Sequence, residues 1–154
     1  MRTPLSRLTL RALALVTCLW SLAFAAPHAW WALGIATGFP GGEASYRRFM
    51  GSTWRYWYDV AVLGCALLGA AVALELARPA WSARRDRHWG RREVARRLAA
   101  IAAIALLLRG MAGLVVDGRA DPIWWPTFLL GGILFGTLVL ATWRKAGITR
   151  SGAV

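Results

Sequence analysis

Four apolar stretches, each long enough to cross a bilayer, set the limits on what this sequence can fold into. They run over residues 12–35, 56–77, 98–116 and 123–143. A hydrocarbon core of about 30 Å needs about 20 mostly apolar residues in helical form. Lipid offers no partner to backbone N–H and C=O groups, so a crossing segment must satisfy them internally. Each stretch is therefore predicted to be a helix. The first and fourth contain no formal charge, the second has Asp59 and Glu75 near its two ends, and the third encloses Arg109. The expected fold class is an all-α membrane protein, a four-helix transmembrane bundle making a single domain over residues 1–154.

Composition excludes the main alternatives. The chain is 58% hydrophobic and 17% charged, with ten tryptophans, yet its net charge is +12. A disordered basic tail would be poor in apolar and aromatic residues. A soluble nucleic-acid binder needs its arginines on an exposed face of a globular fold. The position of the charge gives a different account. Arg2, Arg7 and Arg11 precede the first span. Arg78, Arg84, Arg85, Arg87, Arg91, Arg92, Arg96 and Arg97 lie between the second and third. Arg144, Lys145 and Arg150 follow the fourth. These fourteen fall on one side of a four-span chain, against Arg47, Arg48, Arg55 and Arg119 on the other. By the positive-inside rule both termini and the Arg-rich segment 78–97 are expected to be cytoplasmic. Contact of that segment with anionic lipid headgroups is expected, and no nucleic-acid partner. The chain has no Asn or Gln and a single lysine, Lys145, a bias that suits a GC-rich bacterial genome and hence the bacterial inner membrane.

Local signals mark the helix ends. Asp121-Pro122 pairs a capping residue with a first-turn proline and starts the fourth helix. Arg78-Pro79 ends the second. Pro27 interrupts the hydrogen-bond ladder of the first and predicts a kink there. Ala23-Phe24-Ala25 has the form of a signal-peptide cleavage site, but the apolar run continues past it through Trp30, Trp31 and Leu33, so an uncleaved span is expected. Helix three is expected to extend back into the Arg-rich segment, with Glu93 pairing to Arg96 or Arg97, and Glu75 to Arg78. Close approach of helices in lipid favours small residues. Gly132 and Gly136 make a GxxxG step, Gly110 and Gly113 lie on helix three, and Ala66, Gly69 and Ala73 on helix two. Intramolecular packing is the expected use of these faces; Gly132/Gly136 would also suit a homodimer. Cys18 and Cys65 lie far apart in apolar runs and read as small apolar fillers.

The polar residues within the spans carry the functional question, because ionisable groups are costly in a membrane. With the termini inside, His28, Asp59, Arg109 and Asp117 all fall in the outer leaflet. Arg109, Gly113 and Asp117 also follow i, i+4, i+8 spacing. One reading is structural, with Arg109 paired to Asp59 or Asp117 and His28 hydrogen-bonded beside them. The other is a binding pocket, with the Arg109 guanidinium holding an anionic group and His28 and Asp59 exchanging a proton. Trp30, Trp31, Trp57, Trp124 and Trp125 lie at the same ends, as an interfacial belt or as an aromatic mouth above the polar cluster. No HExxH, GxSxG, GxGxxG, P-loop or acidic metal cluster occurs, and no catalytic residue, metal or cofactor is signalled.

His28-Ala29-Trp30-Trp31-Ala32-Leu33-Gly34 carries a resemblance. With Arg109 late in helix three and Phe128-Leu129-Leu130-Gly131-Gly132 in the last helix, the chain resembles the bacterial membrane proteins grouped as domain of unknown function 3995. The matching signature is H-x-x-W-A-x-G, and the likeness extends over residues 12–143. Ile35 departs from it, standing where a second glycine is expected. The resemblance implies a four-span fold in a bacterial membrane and no particular reaction. Three function classes stay open: an accessory or structural membrane component, a small carrier or exporter using the outer polar cluster, and a membrane-embedded enzyme.

Overall fold

A computed structural model describes residues 7–78, 87–116 and 123–148. All of its regular structure is helical: α1 (Arg7–Ala32), α2 (Gly42–Met50), α3 (Thr53–Ala77), α4 (Arg87–Val116) and α5 (Trp124–Ile148). Four of these contain stretches long and apolar enough to cross a membrane, at Leu8–Ala32, Thr53–Ala77, Gly90–Val116 and Trp124–Trp143. The all-α class expected from the sequence is the one found, and the chain is a multi-pass membrane protein. Two compact units divide it. One is Leu19–Ala70; the other comprises Met1–Cys18 and Ala71–Val154.

Large apolar residues face outward on α1 and α4, and many of the buried positions there are small or polar. Leu15, Val16, Leu19 and Leu22 of α1, and Ile101, Ile104 and Leu108 of α4, are exposed. Ala14, Thr17 and Ser21 of α1, and Ala95, Ala99 and Ala103 of α4, are buried. A water-soluble helix shows the reverse, its apolar stripe turned inward. Here lipid is as apolar as leucine, so small residues at the seams gain by close approach and large ones lose nothing by facing out.

On α1 the buried positions include Leu10, Ala14, Thr17, Ser21, Phe24, His28 and Trp31, with Cys18 and Ala25 buried beside that line. Their spacing alternates four and three without a break, which keeps one line of side chains on one face. The helix runs unbroken through Ala23–Ala25 and past Pro27. It stops at Ala32, short of the predicted Ile35. Gly34 adopts φ +92°, and the bonds Gly34 N–H to Trp31 O (3.0 Å) and Ile35 N–H to Trp30 O (3.2 Å) close the end. That pair of bonds is the Schellman arrangement, and only glycine takes its left-handed position without strain.

α4 and α5 form an antiparallel hairpin built on glycine. A Cβ placed on Gly113 would stand 2.9 Å from Trp125 Cβ, one on Gly110 2.9 Å from Leu129 N, and one on Gly132 3.0 Å from Leu107 N. One on Gly136 would stand 3.9 Å from Ala103 Cβ. As the position falls on α4 it rises on α5, so the helices run in opposite directions at near-contact of backbones. The Gly132 face is thus filled from within the chain. Pro126 fits in the first turn of α5, where its missing N–H leaves no helical bond unmade.

The Arg-rich segment is helical from Arg87, where α4 begins. The foreseen extension carries the foreseen pairs: Glu93 meets Arg96 Nη2 at 3.3 Å and Arg97 Nε at 3.2 Å. Glu75 holds Arg78 at 2.7 Å where α3 ends. The capping pair Asp121-Pro122 lies outside the described residues.

Candidate functional site

Within the unit Leu19–Ala70, a polar contact joins α1 to α3. His28 Nδ1 lies 2.6 Å from Asp59 Oδ1. Both residues are buried, at 8% and 3% exposure, although both are ionisable. His28 reaches this place because it is the sixth member of the α1 seam. Asp59 reaches it because it begins the buried stripe of α3, which continues through Ala66 and Ala70. With Asp59 ionised, Nδ1 carries the hydrogen and donates it; with Asp59 protonated, the carboxyl O–H donates to Nδ1. Either arrangement gives each group one strong partner at a depth where water is scarce.

An aromatic wall surrounds the imidazole. Phe24 lies one turn below it at 5.1 Å between ring centroids, tilted, and Trp31 lies above at 5.3 Å, edge-on. The line continues downward to Trp20, stacked on Phe24 at 5.4 Å. Above, Phe39 meets Trp31 edge-on at 4.9 Å and contacts Tyr46 and Phe49 of α2, each at 5.5 Å. Tyr46 donates its hydroxyl to Trp31 O at 3.0 Å, tying α2 to the end of α1. Edge-to-face pairs of this kind add about 0.5–1.5 kcal/mol each beyond the area they bury. The seam of α1 therefore presses Phe24, His28 and Trp31 into one stack, held at its upper end by the Phe39 loop and α2.

Of the four residues expected to converge, the structure brings His28 and Asp59 together. The carboxylate expected to pair with Arg109 is bonded to His28. Arg109 belongs to the other unit, on the exposed side of α4, with its guanidinium 5.1 Å above the centroid of Phe128 on α5. Asp117 lies outside the described residues. The aromatic mouth also divides. Trp31 is buried against His28, while Trp30 and Trp57 are exposed. Trp124 and Trp125 are half-buried at the start of α5, in Arg109's unit.

Sequence reasoning missed Phe24, Phe39 and Tyr46. The signal for Phe24 was present, because the four-three spacing runs straight through it to His28. Phe39 is positioned by the glycine-rich turn, where Gly38, Gly41 and Gly42 all take positive φ, and no periodicity announces that.

Chemically, the pair can accept and release one proton, and it can bond a small polar group. Among the described residues no three of His, Cys, Asp and Glu gather where they could hold a metal. Comparison with protein-family models, curated proteins and solved structures gives no match.

Proposed function

We propose that this protein is an accessory, structural component of a bacterial cytoplasmic membrane, crossing it four times with both termini and the segment 78–97 on the cytoplasmic side. The observation that carries the structural reading is the buried His28–Asp59 bond of 2.6 Å. Two costly groups on separate spans give each other one strong partner, which fixes the rotation of α1 against α3. The fourteen-to-four division of basic residues supports the orientation. The H-x-x-W-A-x-G resemblance supports the four-span bacterial reading.

The test has two parts. Reporter fusions read the orientation: a cytoplasm-active reporter at either terminus gives signal, and a periplasm-active one gives none. The reverse pattern sinks the topology. For function, His28→Ala and Asp59→Asn are scored for protein abundance and for rescue of a deletion strain. Abundance and rescue falling together is the structural outcome. Normal abundance with lost rescue overturns it.

One observation favours a carrier as the second reading. Asp59 Oδ2 is buried without a hydrogen-bond partner among the described residues. An acceptor left open beside an imidazole suits a proton-coupled site. Proteoliposomes holding a pH-sensitive dye separate the readings. Proton flux that disappears in Asp59→Asn favours the carrier, and flux equal to that of empty vesicles favours the structural role.

A further inference from the structure

The unit containing α4 and α5 exposes a charge at membrane depth. Arg109 lies seven residues before Val116, about 10 Å inside the end of the span at 1.5 Å per residue. Its side chain is exposed, and among the described residues no carboxylate stands within ion-pair distance of it. A charged group facing lipid at that depth needs either a route to the interface or an anion brought to it.

The structure provides the route. Helical side chains ordinarily lean toward the N-terminus of their helix. Arg109 leans the other way: its Nη1 lies 3.3 Å from where a Cβ on Gly113 would stand, one turn toward the C-terminal end. Gly113 leaves that path open. The ring of Phe128 supports one face of the guanidinium along it. In the α4–α5 register Gly113 faces Trp125, so the guanidinium is carried to the level of the Trp124-Trp125 pair that begins α5. Tryptophan pairs at a span's end mark the headgroup region.

We propose that Arg109, backed by Phe128, holds the phosphate of a phospholipid headgroup in the leaflet at the C-terminal end of α4. The fork of N–H donors suits two phosphate oxygens, and the aromatic ring covers the face that would otherwise meet acyl chain. Gly113 admits the headgroup beside the backbone. A lipid is the chosen source of the phosphate because the site faces lipid, at headgroup depth, with apolar Leu114 and Val115 exposed on the same stretch of α4 to meet acyl chains.

The test uses the full chain in an uncharged detergent, with native mass spectrometry counting bound phosphatidylglycerol. Arg48→Gln removes one exposed charge on α2, outside both this site and the segment 78–97, and serves as the charge-matched control. A saturable lipid adduct that weakens about tenfold in Arg109→Gln but not in Arg48→Gln is the expected result. Arg109→Lys retains the charge without the fork and is expected to recover part of the binding. Phe128→Leu leaves the arginine in place, and a loss of a few fold there is expected whether or not Arg109→Gln folds well. Equal adducts in all variants overturn the proposal. So does displacement of the lipid by millimolar inorganic phosphate, which would assign the site to a free anion. So does an Arg109-dependent dimer in place of a lipid adduct, which would make the arginine's partner a second copy of this chain.

Discussion

Removing His28 alone would leave Asp59 at 3% exposure with its closest partner gone. Breaking a buried ionic pair from one side costs about 3–5 kcal/mol, because the remaining charge has nowhere to be solvated. His28→Ala is therefore expected to lower stability by about that amount, read as the unfolding midpoint in a mild detergent. Asp59→Asn keeps an oxygen to accept from Nδ1 and is expected to cost about 1–2 kcal/mol. Replacing both, as His28→Phe with Asp59→Leu, is expected to fall between wild type and His28→Ala, since no ionisable group is then left buried without its partner. A His28→Ala midpoint equal to wild type would mean that water already reaches the carboxylate. Both residues were legible in the sequence as ionisable groups at one depth. Their pairing was not, because depth fixes position along a helix and leaves rotation about its axis open. The rotation of His28 was in fact written in the four-three seam from Leu10 to Trp31. That seam was obscured because Thr17, Ser21 and His28 interrupt its apolar pattern.

At the scale of the helix pair, glycines of similar appearance carry different burdens. A Cβ on Gly110 would stand 2.9 Å from the backbone nitrogen of Leu129, and backbone cannot swing aside. Gly110→Ala must therefore part α4 from α5, at a cost of about 1–3 kcal/mol for an overpacked contact. Gly136 is the contrast. Its added Cβ would meet Ala103 Cβ at 3.9 Å, an ordinary contact. Gly136→Ala is expected to be neutral or to stabilise by up to about 1 kcal/mol, since alanine loses less backbone freedom in a helix than glycine. Thermal midpoints of the two variants in one detergent decide the matter. Equal effects would mean that α4 and α5 do not pack in this register. From the sequence, Gly132 and Gly136 formed the recognisable motif and Gly110 did not. The spacing rule could not rank them, because closeness depends on which residue the neighbouring helix presents, Leu107 to Gly132 and only Ala103 to Gly136. The end of α1 was misplaced for a related reason. Apolarity continues to Ile35, but Gly34 takes a backbone conformation that ends the helix, and hydropathy does not register backbone dihedrals.

Over the whole molecule, the outward face is the strongest claim the sequence makes. The four spans, the small residues at their seams and the direction of the charge bias were all readable from it, because lipid imposes the same simple demand on every span. The described helices answer with leucine, isoleucine and valine facing out. In water, an exposed apolar side chain changed to a charged one alters stability by about 0.5 kcal/mol or less. In lipid the same change depends on depth. Ile104 is 60% exposed and lies near the middle of the Gly90–Val116 span. An arginine at a helix centre costs about 2.5–3.5 kcal/mol on insertion, and Ile104→Arg is expected to deplete the membrane-inserted fraction accordingly. Leu8 is more exposed, at 77%, but begins its span beside Arg7 and Arg11. Leu8→Arg is expected to insert normally, since an arginine at a helix end reaches the interface. Alkaline carbonate extraction, which separates inserted from peripheral protein, reads both. If the two variants extract alike, with Ile104→Arg retained in the membrane pellet at the wild-type level, the outward face of α4 does not meet lipid. The small-inside, large-outside pattern would then need another cause.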